Sequence, residues 1–391
     1  MASPLNIMTL STLFPASSRP NFGIFVERQT SALAKLAGFD ATVINPLGVA
    51  PWPLSRLRAY DDMRLLPAHE RWNGLETYRP RFTAYPKFGG RLNPKMIFQT
   101  VLPLAIKLHN ERPFDLIDAE FFYPDGPAAM LLSDALGIPF TIKARGADIH
   151  HWGRIAGCAE QLLHAADKAA GLLAVSGALK ADMAALGIEE GKIMVHYTGL
   201  DQARFSPRDR SAEKAKLGID GPIILCIGAL IPRKNQHLLL HALPLLPRAT
   251  LILAGQGSSE QQYRQLAKTL GVEERVRFHG NVPHDDLPGL LAAADVMALV
   301  SESEGLANAW VEALACGTPI IASDVGGIRE LITSPHAGHI VDREPHAIAK
   351  AIHDMLVRAP DPADVSASVG TFSWDENARQ LAAHFRRITN H

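Results

Sequence analysis

At 391 residues the chain exceeds what one ordinary hydrophobic core serves, so two domains of roughly 180 residues each are expected. Its 39 basic and 40 acidic residues nearly cancel, which excludes the global positive field of a nucleic-acid binder, while 47% hydrophobic residues suffice for large cores. Cys158, Cys226 and Cys316 stand far apart, with no Cys-x-x-Cys or Cys/His metal spacing, and read as buried thiols in a reducing compartment.

Leu5 to Leu10, LNIMTL, is continuously apolar enough for a buried strand. The Ser-, Pro- and Gly-rich loop of residues 11–23 leads into a helix from near Ile24, and ATVINP at residues 41–46 is the next strand. Strand, loop, helix and strand form half of a doubly wound parallel sheet, whose ligands sit outside the carboxyl ends of the strands. At that end Gly23 either lets backbone approach a ligand or serves as a plain turn glycine.

Residues 52–107 break the alternation, with ten Lys/Arg against four Asp/Glu, a net of +6, and Tyr60, Trp72, Tyr78, Phe82, Tyr85 and Phe88 interleaved. Such a stretch suits a face resting on anionic lipid headgroups, or else a solvated variable segment. FDLIDAEFFYPDGPAAMLL and IPFTIKARGADIH, residues 114–132 and 138–150, supply two further strands with a loop after each. Ser176 is placed to cap the helix that Gly187 stops, and KIMVHY at residues 192–197 is another strand. Asp201 to Arg210 then enters a polar, charged segment that reads as the interdomain linker.

The second half opens with PIILCI, an apolar strand that breaks at Gly228 before a loop carrying Arg233 and Lys234 and a leucine-rich helix. A cationic loop leading into a helix N-terminus is a phosphate site in outline, or an exposed Arg-Lys loop without a ligand. TLILAGQG begins like a dinucleotide fingerprint, but Glu260 stands where its third glycine belongs, which leaves hydride transfer a weak alternative. Gly255 and Gly257 fit better as the lining of a nucleotide pocket, with Val282, after the RVRFHG strand, offering backbone to the base.

The densest signals lie in Ser301 to Gly327, SESEGLANAWVEALACGTPIIASDVGG. Gly305 turns the chain out of a buried strand, Asn308 to Ala315 is built of helix formers, and Gly317 with Pro319 stops the helix before the strand IIAS. Glu304 in the loop and Glu312 in the helix frame a helix N-terminus that favours an anion, as a ligand carrying both phosphate and diols would require. In the plainer alternative Glu304 only caps the helix and Glu312 is solvated. TFSWDENARQLAAHFRRI closes the chain as an amphipathic helix from near Trp374.

The E-x7-E pair running into E-A-L-A-C-G-T-P-I-I and the D-V-G-G turn resembles the donor-site signature of retaining, nucleotide-sugar-dependent glycosyltransferases of the GT4 family. The loop P-x4-P-x2-G-I-F-V from Pro15, the block Y-T-G-L-D-x3-F-x-P from Tyr197, and Gly228 to Lys234 are similar to further blocks of that family. Ala229 stands where the family often has arginine, Asn235 replaces a second glycine, and Arg145-Gly146 replaces a common His-Gly. Arginine can contact phosphate or a sugar hydroxyl but does not titrate near neutral pH, so an acid–base role at Arg145 is not expected.

The resemblance implies an α/β protein of GT-B fold, two Rossmann-like doubly wound domains facing across a cleft. The expected acceptor-side domain is residues 1–205, completed by a C-terminal helix at 374–391, and the expected donor domain is residues 206–373. It further implies transfer of a hexose from a nucleotide diphosphate sugar to a sugar or lipid-linked hydroxyl acceptor, with retention and with neither metal nor cofactor. Lys234 and Arg233 would stabilise the leaving diphosphate, Glu312 would hold the ribose diol, and Glu304 with Gly305, Leu306, Ala307 and Asn308 would hold the donor sugar. An epimerase or sugar phosphorylase of the same fold, or a silent nucleotide-sugar binder, would share these features. No apolar run nears the roughly 18 residues of a membrane span, and no secretory signal is evident, so a cytoplasmic or peripheral location is expected.

Overall fold

The computed structural model describes residues 4–54, 61–85 and 90–390. The chain divides into two compact units, Met1–Gly199 together with Trp374–His391, and Leu200–Ser373.

The strands of the first unit are β1 (Leu5–Leu10), β2 (Phe39–Ile44), β3 (Leu47–Val49), β4 (His69–Trp72), β5 (Leu75–Tyr78), β6 (Arg81–Thr83), β7 (Leu116–Ala119), β8 (Phe140–Ala144), β9 (Gly171–Ala174) and β10 (Ile193–Val195). Eight form one sheet in the order β10-β9-β8-β7-β1-β2-β5-β4, parallel throughout except for the β4–β5 hairpin, and β3 pairs with β6 in a small ribbon. Every residue of β1 is buried, which is why its sequence shows no alternation. Ser176 caps its helix as expected, its hydroxyl accepting from the Leu179 amide at 3.1 Å. The helix Trp374–Thr389 returns to this unit and lays Leu381, Ala382 and Phe385 on Leu5, Ile7, Leu33, Phe39, Leu116 and Leu173.

Residues 52–107 are more structured than their composition suggests. Asn73 and Gly74, at φ 46° and 89°, close β4 onto β5 in a tight turn. Arg79 is not on a basic face but fully buried, donating to Glu70 at 2.7 Å, Asn45 Oδ1 at 2.5 Å and the Pro15 carbonyl at 2.9 Å. Phe82 is buried as well, because β6, which carries it, joins the ribbon, and Arg79 directly follows β5 of the sheet. Arg64, Arg71, Arg81, Arg91, Lys95 and Lys107 remain exposed, as do Trp52, Leu54, Leu65, Tyr85, Leu92 and Ile106. Arg56, Arg58, Tyr60, Lys87 and Phe88 lie outside the described residues. Among the described residues no helix is long and apolar enough to cross a membrane.

The second unit is a parallel sheet of β11 (Ile223–Ile227), β12 (Thr250–Ala254), β13 (Val276–Gly280), β14 (Val296–Leu299), β15 (Ile320–Ser323) and β16 (Gly338–Val341), in the order β13-β12-β11-β14-β15-β16. Residues 200–205 belong here rather than to the first unit. Phe205 is 2% exposed, Arg204 pairs with Asp285, and the Gln202 amide donates to the carbonyls of Gly370 at 2.7 Å and Phe372 at 2.9 Å. The expected linker of residues 201–210 is therefore packed, and it ends with Asp209 capping the helix Arg210–Leu217.

Among the parallel strands the order reverses between β1 and β7 in the first sheet and between β11 and β14 in the second, and the antiparallel β4 adds a further reversal at the edge of the first sheet. Loops diverge from such a reversal at the carboxyl ends of the two strands and leave a crevice there.

Candidate functional site

The loops after β11 and β14 meet at the reversal of the second sheet. Asn235 takes the left-handed conformation, φ 54°, that a glycine would supply, and its side chain donates to the Val300 carbonyl at 3.2 Å. The Glu302 amide donates to the Arg233 carbonyl at 2.8 Å, and the Arg233 guanidinium donates to the Ser303 carbonyl. Lys234 Nζ reaches Glu304 Oε1 at 2.5 Å with Arg233 3.8 Å from the other oxygen, and the Lys234 and Glu304 side chains are only 13% and 10% exposed. Two loops distant in sequence are thus tied backbone to backbone and charge to charge.

Gly255 and Gly257 serve this arrangement by their lack of a side chain. A Cβ on either would overlap the carbonyl of Gly228 or of Leu230, so the loops after β11 and β12 lie backbone on backbone. They are joined by the bonds Gly228 N–H to Ala254 O and Leu230 N–H to Gln256 O, both 3.0 Å. The requirement for glycine at both positions is met inside the protein, where another loop's backbone takes the place of each missing Cβ. The methylenes of Lys234 pass beside Gly228 at 3.7 Å from its ideal Cβ position.

The D-V-G-G turn also packs on the site. The Gly327 amide donates to the Gly305 carbonyl at 2.8 Å, and a Cβ on Gly326 would strike the carbonyls of Glu304 and Gly305. Leu306 and Trp310 are buried and anchor the loop, Ala307 and Asn308 are half-buried, and no side chain caps the helix Asn308–Ala315 at Ala307. Its N-terminal amides therefore remain suited to an anion.

Glu312, in the middle of that helix, does not stand alone in solvent. Its Oε1 lies 2.8 Å from His284 Nε2, with the side chains 14% and 9% exposed, and the Phe205 ring meets the imidazole edge-on at 5.2 Å. The same environment, burial first and then Glu312, pushes the Cys316 thiol up to about 12. Val282 borders a cavity of about 470 Å³ with Arg208, His279, Asn281, Asp285 and Leu290, and neither Lys234, Glu304 nor Glu312 lines it.

In the first unit the loops after β1 and β7 are joined where the Thr12 amide donates to Asp125 Oδ2 at 2.9 Å. Gly23, φ 71°, starts the helix Ile24–Ala34, and its α-hydrogen side faces the backbone of Leu13 and Phe14 so closely that a Cβ would overlap it. Arg145 is not open to a ligand as expected. Its side chain is 6% exposed, pairs with the fully buried Glu120, donates from Nε to the Glu120 carbonyl at 3.1 Å, and lies 4.5 Å over the Phe25 ring. A buried carboxylate demands such a counter-charge, and Glu120 claims it. Burial works against the Glu120 charge, but Arg145 and Lys143 outweigh it and hold the carboxyl below its usual range. Lys143, itself pushed down to about 7 by burial, is 2.5 Å from Gln29 Oε1 and 2.8 Å from His196 Nδ1.

Two family models divide the chain between them: Glycosyltransferase Family 4 matches residues 23–204 and Glycosyl transferases group 1 matches residues 208–388. The chain is a glycosyltransferase of the GT4 type. It is 27% identical, over 98% of its length and 99% of the relative's, to the putative teichuronic acid biosynthesis glycosyltransferase TuaC of Bacillus subtilis. Its fold is that of sucrose-phosphate synthase from Thermosynechococcus elongatus, with a TM-score of 0.82 at 21% identity over 99% of both chains. It also matches Anabaena HepE in complex with UDP-glucose, with a TM-score of 0.73 at 21% identity over 98% of this chain and 100% of that one. Both are GT-B structures, and GT-B is the fold of this glycosyltransferase.

Three elements of the glycosyltransferase escaped the sequence reading. The cluster of Asp118 and Glu120 with Lys143 and Arg145 places titratable side chains two residues apart at the ends of the adjacent strands β7 and β8, a pattern visible in sequence as D-A-E and K-A-R, of which only Arg145 was singled out. Asp125 and His284 had no comparable signal beyond their loops. The Asn73-Gly74 pair was a strong hairpin signal inside a stretch read only by its charge.

Proposed function

We propose that this glycosyltransferase moves a hexose from a nucleotide diphosphate sugar to a hydroxyl acceptor, with retention at the anomeric carbon and without a metal ion. The observation that carries the reading is the Lys234–Glu304 pair, with Arg233 beside it, tied across the loops at the strand reversal next to an uncapped helix N-terminus. A diphosphate entering there meets two cations and the amide end of a helix, and the charge that grows on it as the sugar–phosphate bond breaks is stabilised by groups already in place. Glu304, released from part of its contact with Lys234 when phosphate arrives, accepts sugar hydroxyls. Glu312 accepts the ribose diol.

The acceptor hydroxyl attacks the anomeric carbon on the face the diphosphate leaves, and its proton passes to a donor phosphate oxygen. The bond formed is carbon to acceptor oxygen, the bond broken is carbon to phosphate oxygen, and the products are the glycoside and a nucleoside diphosphate. A donor of this class is supported by the UDP-glucose complex of HepE, and an acceptor in glycopolymer synthesis by the name of TuaC. A lipid-linked acceptor would be met through the exposed basic and apolar residues of 52–107.

The test begins with thermal shifts against UDP-, GDP- and ADP-sugars, since a ligand bound by the native state alone raises the melting temperature. The donor that shifts it is then incubated with candidate acceptors, with and without EDTA. Nucleoside diphosphate should appear only with acceptor, insensitive to EDTA, and the new glycosidic bond should keep the donor's anomeric configuration by NMR. Release without acceptor, isomerised donor, or binding without turnover would replace this reading with phosphorolysis or hydrolysis, epimerisation, or simple binding.

A further inference from the structure

We propose that His284 is a positioning residue that sets the preference of this enzyme for ribonucleotides over 2′-deoxyribonucleotides. The inference rests on the reading of Glu312 as the ribose acceptor and deepens it.

Among the described residues Glu312 receives one side-chain hydrogen bond, from His284 at 2.8 Å. A carboxylate only accepts, so the imidazole Nε2 must carry the proton and donate, which fixes the tautomer. The ring is held in turn: His284 is 9% exposed, and Phe205, 2% exposed, packs against it edge-on at an interplanar angle of 68°. A glutamate left to itself samples several rotamers and loses that freedom on binding a ligand. With Oε1 tethered, the carboxylate has one orientation, and Oε2 is presented for a hydroxyl pair.

The consequence concerns selectivity more than fold. A carboxylate prepositioned for two hydroxyls is left with an unmet acceptor when one hydroxyl is missing, and that loss is large only if the carboxylate cannot turn away to find another partner. His284 and Phe205 prevent it from turning. The Phe205 of the Y-T-G-L-D-x3-F-x-P block and the His284 of the loop after β13 thus act on the ligand only through Glu312.

The experiment measures, by calorimetry on the full chain, dissociation constants for UDP, GDP and ADP and for their 2′-deoxy counterparts, using the base that binds best. Wild type should favour the ribonucleotide by about tenfold or more, as expected when a charged acceptor loses its hydroxyl donor. His284→Leu should reduce that preference to within about twofold, by weakening the ribonucleotide alone, and should raise KM for the donor more than it lowers kcat. His284→Asn should behave like leucine because its shorter amide cannot reach Glu312, and it serves if the leucine variant does not fold. His284→Gln, whose Nε2 occupies nearly the imidazole position, should recover most of the preference.

A merely structural role would weaken both nucleotides together and leave the ratio intact. An unchanged ratio in both His284→Leu and His284→Asn, with the ratio lost in Glu312→Gln, would overturn the role of His284 alone. An unchanged ratio in Glu312→Gln as well would remove Glu312 from the ribose and the inference with it.

Discussion

Lys234 and Glu304 neutralise each other at 2.5 Å in a place shielded from solvent, so removing Glu304 leaves Lys234 without this partner, and removing Lys234 leaves Glu304 only the longer contact with Arg233 at 3.8 Å. Lys234→Ala should slow turnover by roughly two to three orders of magnitude, the scale of losing one preorganised contact to a developing anion. Glu312→Ala should instead weaken nucleotide binding by about 1.5–3 kcal/mol, that of a charged hydrogen-bonded contact. Steady-state kinetics of both variants separate the two roles, and wild-type turnover in Lys234→Ala would end the assignment. In the first unit Asp125 makes a different prediction. Burial pushes its carboxyl up to about 8, Asp148 and Glu120 adding to the effect, and its Oδ1 has no hydrogen-bond partner among the described residues. Between its unfolded value near 4 and the native value the folded chain keeps a proton that the unfolded chain has lost, so this group's contribution falls as pH rises through that window. Asp125→Asn keeps an acceptor for the Thr12 amide and cannot ionise. Its stability relative to wild type, followed by denaturant titration, should grow by on the order of a few kcal/mol from pH 4 to pH 8, and a flat difference would refute the burial argument.

At the scale of elements, glycine positions divide sharply by what lies next to them. Gly326, φ 52°, faces the carbonyls of Glu304 and Gly305, whereas Gly74, φ 89°, has nothing within 4 Å of where a Cβ would stand. Gly74→Ala should cost only the conformational penalty of about 1 kcal/mol. Gly326→Ala adds an overlap with backbone and should cost about 2–4 kcal/mol, with the SESEG loop displaced and donor binding weakened alongside. Melting curves and donor affinity for the pair check this, and equal costs would contradict the packing described. The same contrast explains what could be read in advance. Gly317 and Pro319 announce the end of a helix through local chemistry, but the partners of Gly255, Gly257 and Gly326 lie on other loops and leave no local trace.

At the scale of the whole molecule, the first unit depends on a helix from the far end of the chain. Truncation after Ser373 would expose the apolar surface formed by Leu5, Leu33, Phe39 and Leu173 where Leu381 and Phe385 now sit. Each buried side chain of that size contributes about 1.5–3 kcal/mol, a large fraction of the whole stability of a domain, so the truncated chain should be insoluble or rapidly proteolysed within residues 1–199. A stable, protease-resistant first unit without the helix would overturn this. If the acceptor is lipid-linked, the chain should co-sediment with anionic vesicles at low salt and be released at high salt, since each basic side chain near such a surface contributes about 1 kcal/mol and the effect is screened. Replacing Arg56, Arg58, Arg64 and Arg71 with alanine should abolish that recruitment. Equal binding to neutral vesicles, or none to either, would favour a soluble acceptor.

The sequence by itself determined most strands of the two parallel sheets, the helix stops and caps, an amphipathic helix from Trp374 whose return to the first domain only the family resemblance implied, and the identity of the charged loop residues Lys234, Glu304 and Glu312. Those features are written locally, in runs of apolar residues, in glycine and proline at turns, and in motifs a few residues long. Only the tertiary structure decided which of them meet. Lys234 and Glu304 are 70 residues apart, Glu312 and His284 28, and Arg145 and Glu120 25. Their pairing follows from β11 lying beside β14, from the loop after β13 folding over the Asn308–Ala315 helix, and from β7 lying beside β8. Strand order is set by which apolar faces bury one another across the sheet, a nonlocal balance that no short window of sequence contains, and so the partner of each charge became visible only in the fold.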